Sequence, residues 1–257
     1  MTVLVRSQVL RGVATLTLDS PANRNALSST LIDELLAALD EAERDDAVRV
    51  IVLSHTGTVF SAGADLKETA EALATGRLPI ARLGDVLVAI WESRKPVVAR
   101  VGGAARAGGL GLIAAADIAI CAREATFAFT EVRIGVIPAV ISATVLPRLS
   151  GRAAAELYLT GEVFDGDRAA DIGLVTTAVG GSELDATVAH YTAALVRGAP
   201  GALAGAKSLL RRDRPATLRD DIRVLTELSV GYFGSDEGRE GIAAFREKRD
   251  PRWVPQS

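Results

Sequence analysis

RVGGAARAGGLGLIAAADIAICAREATFAFTEVRIGVIP, Arg100 to Pro138, is the stretch on which the fold turns. The β-branched run Val97 to Val101 predicts a strand, and the glycine-rich segment Gly102 to Gly109 predicts a loop behind it. From near Gly108 the sequence predicts a helix so poor in side-chain bulk that it must pack closely against something. A helix start offers unpaired backbone N–H groups, and glycines let a ligand approach them. That arrangement suits an oxygen that gains negative charge during a reaction. Beyond Asp117, Ile118 to Cys121 reads as the next strand. The following loop carries Glu131 among Phe127, Phe129, Val132, Ile134, Val136 and Ile137. A carboxyl group in apolar surroundings loses hydration, its pKa rises, and it becomes suited to general acid or base work near neutral pH.

Outward from this stretch, the chain opens with two strands, Val3 to Leu10 and Gly12 to Asp19. They join as a hairpin at Arg11-Gly12, with Ala14, Leu16 and Leu18 alternating against Val13, Thr15 and Thr17. Ser28 and Ser29 are candidate caps for a helix in which Leu31, Leu35, Leu39 and Ala42 recur at helical spacing. VRVIVLS, Val48 to Ser54, is apolar enough to be a strand buried on both faces. HTGTVFSAGAD then leads into a helix at about Asp65, the same strand, loop and helix succession found at Val97 to Gly109, so two helix starts can face one pocket. From Pro200 onward the pattern changes to helices over 200–212, 217–233 and 236–248, preceded by one over 182–197. In the middle one Leu218, Ile222 and Leu225 form an apolar stripe suited to core or subunit contact.

With 257 residues the chain can bury a sizeable core, and a formal net charge of −3 gives no electrostatic reason to expect nucleic acid. Its single cysteine, Cys121, lies in a predicted buried strand and reads as a packed thiol. His55 and His190 lack the neighbouring ligands of a metal site. No uncharged apolar run reaches the ~18 residues needed to span a bilayer, and no signal core opens the chain, so a cytoplasmic protein without membrane association is expected.

Two separated motifs, FSAGADLKE (Phe60 to Glu68) and AGGLGLIAAADIAI with its FTEVRIGVIPAVIS loop, resemble the crotonase, or enoyl-CoA hydratase/isomerase, superfamily. The resemblance extends to the terminal EGIAAFREKRDPRW and is closest to bacterial hydratases of the methylglutaconyl-CoA hydratase-like type. It implies an α/β fold: a spiral of β-β-α repeats over residues 1–197, with a helical region over 198–257 that mediates trimer formation. Periodicity alone supports a mixed α/β fold with buried parallel strands. The resemblance further implies an acyl-CoA thioester substrate, coenzyme A being part of that substrate rather than a separate cofactor, a role in fatty acid metabolism, and a homotrimer or homohexamer. Carried onto matching positions, the N–H groups of Ala64 and Gly108 form the oxyanion hole and Glu131 is the acid/base. Coenzyme A is held near Ala62, Asp65, Leu66 and Lys67, with Lys248 reaching its 3′-phosphate from a neighbouring subunit.

One departure matters. Family hydratases use two glutamates around the attacking water, and counting back from Asp117 puts Gly111 where the first would stand. The expectation is hydration of a trans-2-enoyl-CoA with Glu131 as the main acid/base. Gly111→Glu would raise the rate if the helix leaves room. Isomerisation of a 3-enoyl-CoA, which needs a single glutamate, is the alternative; a non-catalytic acyl-CoA binding protein is another. Arg106 is a candidate for an acidic acyl tail or a phosphate, and Glu124 a reserve second acid. Gly109-Leu-Gly111-Leu-Ile-Ala114 formally satisfies the dinucleotide fingerprint, but the loop before it and the basic end of the next strand disagree with that reading.

Overall fold

The computed structural model describes residues 3–72, 80–212, 231 and 235–254. The predicted helix over 217–233, with Leu218, Ile222 and Leu225, lies outside the described residues except for residue 231.

Strands β1 (Val5–Leu10) and β2 (Val13–Leu18) form the expected antiparallel hairpin. On β2, Ala14, Leu16 and Leu18 point into the core while their alternates are half-buried. Helix α1 (Ser29–Arg44) follows, with Ser28 as its cap: the Ser28 hydroxyl accepts from the Leu31 N–H at 3.3 Å. Ser29 is instead the first helical residue, and its N–H donates to the Glu68 carboxylate at 2.9 Å. Strand β3 (Val50–His55) is buried along its whole length, as its unbroken apolar sequence requires.

The units that follow repeat one plan. A long strand in one sheet is succeeded by a short strand in another, then by a helix. Thus β3 leads to β4 (Val59–Ser61), then α2 (Leu66–Ala72) and α3 (Ile80–Glu92). Strand β5 (Val97–Val101) leads to β6 (Ala104–Arg106) and α4 (Gly108–Ala115). Strand β7 (Ile118–Ala122) leads to β8 (Thr126–Ala128), the Glu131 turn and α5 (Ala139–Val145). Helix α6 (Gly151–Thr160), β9 (Phe164–Asp165), α7 (Gly166–Asp171), β10 (Thr177–Val179) and α8 (Leu184–Val196) complete this part. The long strands make a six-stranded sheet in the order β1-β2-β3-β5-β7-β10, parallel beyond the hairpin. The short ones make a second sheet, β4-β6-β8-β9. The loop expected over Gly102 to Gly109 therefore contains a strand, β6, paired with β4 and β8. A three-residue strand is too short to show periodicity.

Among the described residues after Pro200 there is no strand, only α9 (Pro200–Arg211) and α10 (Asp236–Glu247). Helix α9 is tied to the core by charge. Asp117, between α4 and β7, accepts from the Val97 N–H and pairs with Lys207 at 2.7 Å and with Arg211. Lys207, almost wholly buried, also donates to the Lys95 carbonyl at 3.0 Å. Removing one partner of a buried pair strands the other charge, so these groups fix α9 in place.

His55 closes β3 from inside. Its Nε2 accepts from the Gly102 N–H at 2.9 Å, at the entry to the glycine segment, and Nδ1 lies 3.3 Å from the Thr56 carbonyl. Nδ1 therefore carries the proton, and a second proton on Nε2 would expel the Gly102 N–H. Burial, then the nearby Arg100 charge, hold the His55 pKa below its ordinary value. In the unfolded chain it returns to ~6.5. Below that pH the unfolded chain binds more protons at this residue than the folded one, so its contribution to stability falls as pH falls and is level above it. Denaturant unfolding of the protein and of His55→Gln should therefore give a stability difference that shrinks from pH 7.5 to pH 5. A difference independent of pH over that range would contradict this account of His55.

Candidate active site

Two glycine-containing junctions meet at one point. Gly63 has a left-handed backbone (φ +85°), and a Cβ built on it would lie 2.8 Å from the Ala107 Cβ and 3.4 Å from the Gly108 nitrogen. A Cβ on Gly108 would meet Leu27 Cδ1 at 2.8 Å and Leu83 Cδ2 at 3.1 Å. The structure thus brings the loop holding Ala64 and the start of α4 together, with Leu27 and Leu83 over them. Neither the Ala64 nor the Gly108 N–H has an acceptor among the described residues. Ala107, immediately before α4, has φ 47° and ψ −117°, a conformation that costs a non-glycine residue on the order of 1–3 kcal/mol.

A third segment braces this junction, and the sequence reading missed it. Asn25 is fully buried. Its Oδ1 accepts from the Ser20 N–H at 2.7 Å, and its Nδ2 donates to the Thr56 and Val59 carbonyls at 3.1 and 2.7 Å. Arg24 and Asn25 both adopt left-handed backbone, which asparagine tolerates better than most residues. The loop they shape accepts the Ala62 N–H on the Arg24 carbonyl at 3.0 Å and donates the Leu27 N–H to Gly63 at 2.8 Å. The signal available was the pair of asparagines around Arg24.

Glu131 sits in a single 3-10 turn, Thr130–Ile134, closed by Gly135 in left-handed backbone. Its side chain is buried, Oε2 has no hydrogen-bond partner among the described residues, and burial pushes its pKa above the ordinary glutamate value. Of the apolar neighbours expected to enclose it, Phe127 and Phe129 are fully buried and Val132 is half-buried. Ile134, Val136 and Ile137, on either side of the left-handed Gly135, are exposed.

Gly111 explains itself through α5. A Cβ there would stand 2.5 Å from Ile141 Cγ2 and 2.9 Å from its Cβ, and the Gly111 carbonyl accepts from the Thr144 hydroxyl at 3.2 Å. The glycine is the contact surface between α4 and α5. The helix leaves no room for a glutamate, so the expectation that Gly111→Glu raises activity is withdrawn.

Asp65 caps α2, accepting the Lys67 and Glu68 N–H groups at 3.0 and 3.1 Å and the Asn23 amide at 2.8 Å. Those bonds, led by the Glu68 N–H, hold its pKa below the usual carboxylate value. Leu66 and Lys67 are exposed at the start of α2. Lys248, exposed and left-handed (φ 54°), follows the last turn of α10. Arg106 is engaged in the fold rather than held out for a ligand: its guanidinium donates to the Ala105 and Thr126 carbonyls at 2.8 and 2.6 Å and to the Thr126 hydroxyl at 3.0 Å. Glu124 is exposed on the turn after β7, beside Gly181. Cys121 is buried, its pKa pushed up to about 12 chiefly by burial, which leaves it unreactive. Gly109 to Ala114 all lie within α4, so the dinucleotide fingerprint has no turn to form. Among the described residues no group of three or more metal-ligating side chains occurs, and no helix is long and apolar enough to cross a membrane. A cavity of about 710 Å³ lies elsewhere, between α8 and the six-stranded sheet, and includes none of the candidate residues. It offers no acid/base group with the environment of Glu131.

The sequence profile of the enoyl-CoA hydratase/isomerase family matches residues 8–256. Among curated proteins, the chain is 36% identical to one named "Probable enoyl-CoA hydratase" from Bacillus subtilis, over 94% of this chain and 95% of that one. It is 31% identical to the peroxisomal Delta(3,5)-Delta(2,4)-dienoyl-CoA isomerase of Arabidopsis thaliana, over 98% and 96%. Among solved structures, an enoyl-CoA hydratase from Mycobacterium avium shares 46% identity with TM-score 0.74, over 98% and 100% of the two chains. An enoyl-CoA hydratase/isomerase from Marinobacter aquaeolei shares 30% with TM-score 0.90, over 98% and 99%. The chain belongs to the enoyl-CoA hydratase/isomerase family and has the crotonase fold; it is a member of a family of acyl-CoA-processing enzymes, hydratases among them.

The Gly111 contact is directly testable. Gly111→Ala should lower stability by roughly 1–3 kcal/mol, as overpacking does, and Ile141→Ala in that background should recover part of the loss by removing Cγ2. An unchanged denaturation midpoint for Gly111→Ala would show that α4 and α5 are not in close contact there.

Proposed function

We propose that this protein hydrates a trans-2-enoyl-CoA to a 3-hydroxyacyl-CoA with one glutamate and a backbone oxyanion hole. The observation that carries the reading is Glu131: a buried carboxyl with an unpartnered oxygen, on the unit next to the meeting point of Gly63 and Gly108. The thioester oxygen would accept the Ala64 and Gly108 N–H groups, which draws electron density from C3. Water oxygen bonds to C3 as one of its protons passes to Glu131, and the alkene electrons move into the enolate held by the two N–H groups. Glu131 then returns a proton to C2, and the thioester carbonyl re-forms. The raised pKa keeps the carboxyl close to the range where it can both take and give a proton.

Coenzyme A would lie along Ala62, Asp65 and Leu66. The Ala62 N–H is already donated to Arg24, so that residue would contribute its other backbone edge. Lys67, and Lys248 from a neighbouring subunit, would meet phosphate. No cofactor beyond the substrate's own coenzyme A is needed. Assembly as a trimer, or as a hexamer of two trimers, would supply that neighbour, and exposed Ile134, Val136, Ile137 and Leu146 offer apolar surface for it.

A second reading, isomerisation of a 3-enoyl-CoA, is favoured by the absence of a carboxyl at Gly111, since moving one proton between C2 and C4 needs one glutamate. A third, acyl-CoA binding without turnover, would leave both substrates unchanged. Incubation of trans-2-enoyl-CoA and 3-enoyl-CoA in H₂¹⁸O separates them. The hydratase reading predicts ¹⁸O in a 3-hydroxyacyl product, and Glu131→Gln should lower that rate by roughly 10² to 10⁴, the worth of a positioned acid/base. Conversion of the 3-enoyl to the 2-enoyl thioester with no label would replace hydration by isomerisation. Sedimentation at micromolar concentration should give a trimer or hexamer; a monomer alone would remove the neighbouring-subunit role of Lys248.

A further inference from the structure

One acceptor orients a water molecule poorly, and Gly111 supplies no second carboxyl. The element packed against the Glu131 turn does carry a second oxygen. Tyr158, half-buried on α6, places its ring 4.6 Å from that of Phe129, two residues before Glu131. Its hydroxyl lies 3.4 Å from Ser142 Oγ on α5. Ser142 Oγ is also only 2.6 Å from the Pro138 carbonyl oxygen. A carbonyl has no proton to offer and serine has one, so the shorter bond takes the serine proton. The longer contact is then made by the phenol, which donates to Ser142 Oγ. The Tyr158 oxygen is left with lone pairs only: toward any other partner it is an acceptor, as a carboxylate would be.

Glu131 and Tyr158 are close enough to interact electrostatically. Burial, and with it the Glu131 charge, raises the Tyr158 pKa, so the phenol stays protonated where Glu131 is ionised. An apolar side chain at 158 would fill the same space against Phe129. The hydroxyl is the part that packing does not explain.

We propose that Tyr158, oriented by Ser142, is a positioning residue for the water that Glu131 activates: the water donates one hydrogen to Glu131 Oε2 and the other to the Tyr158 oxygen, and this turns a lone pair of the water oxygen toward C3. Only the first hydrogen is transferred. The second stays on the oxygen and becomes the hydroxyl hydrogen of the 3-hydroxyacyl product, and the phenol is unchanged at the end. This assignment rests on the hydratase reading of Glu131 given above.

The test is Tyr158→Phe, which keeps the ring against Phe129 and removes only the oxygen. With trans-2-enoyl-CoA, kcat should fall roughly tenfold or more, the worth of one lost hydrogen bond, while KM and melting temperature stay near those of the unaltered protein. A merely structural role would move the melting temperature and leave kcat alone. If Tyr158→Phe folds poorly, Ser142→Ala decides: it frees the phenol proton and should lower kcat without moving KM. A kcat equal to that of the unaltered protein in the decisive variant overturns the proposal for Tyr158 and leaves hydration by Glu131 standing. If the unaltered protein forms no 3-hydroxyacyl-CoA at all, the hydratase reading fails, and the water-positioning role of Tyr158 fails with it.

Discussion

The structure depends on backbone meeting backbone where strands of the two sheets hand over to helices. A Cβ on Gly103 would lie 2.1 Å from the Thr58 carbonyl oxygen, and one on Gly63 would lie 2.8 Å from the Ala107 Cβ. No side chain could be inserted at either place without moving a strand. This closeness lets the β4 and β6 ends run side by side, and it sets α4 so that its first N–H groups open beside Ala64. Part of its cost is visible at Ala107, whose backbone is held where only the surrounding structure can keep it. Asn25, buried with all its polar atoms satisfied, ties the preceding loop to the same point.

The same economy of side chains shapes the chemistry. Helix α4 is buried at every residue from Gly108 to Ala115, and Gly111 is where Ile141 of α5 presses against it. That contact excludes a carboxyl from position 111, and in the proposed reaction the acid/base work then falls to Glu131, whose pKa is raised mainly because burial disfavours its charged form. The proposed substitute for a second carboxylate comes from the other side of the turn, through α5 and α6. A neutral phenol can be an acceptor there without placing a second negative charge beside Glu131.

Much of this was legible in the sequence where periodicity runs long enough. The β2 alternation, the leucine spacing of α1, the unbroken apolar β3 and the alanine-rich α4 all fall where the residues put them. The second sheet was not legible from pattern, because β4, β6 and β8 have three residues each; the family resemblance supplied it. Tertiary polar contacts were equally silent. Arg106 reads as a candidate anion ligand until its bonds to Thr126 are seen, and whether the helix leaves room at Gly111 is open until Ile141 is placed beside it. In both cases the deciding partner is about 20 to 30 residues away in the chain, beyond the reach of local spacing.

The central claim is that two backbone N–H groups, of Ala64 and Gly108, polarise the thioester carbonyl. Difference infrared spectroscopy of a bound acyl-CoA carrying ¹³C at the thioester carbon reads that polarisation directly. The account predicts a carbonyl stretch at lower frequency in the complex than in water, and recovery toward the free value in Gly108→Pro, which deletes one donor while leaving Glu131 untouched. A bound carbonyl at the same frequency as the free thioester would contradict it.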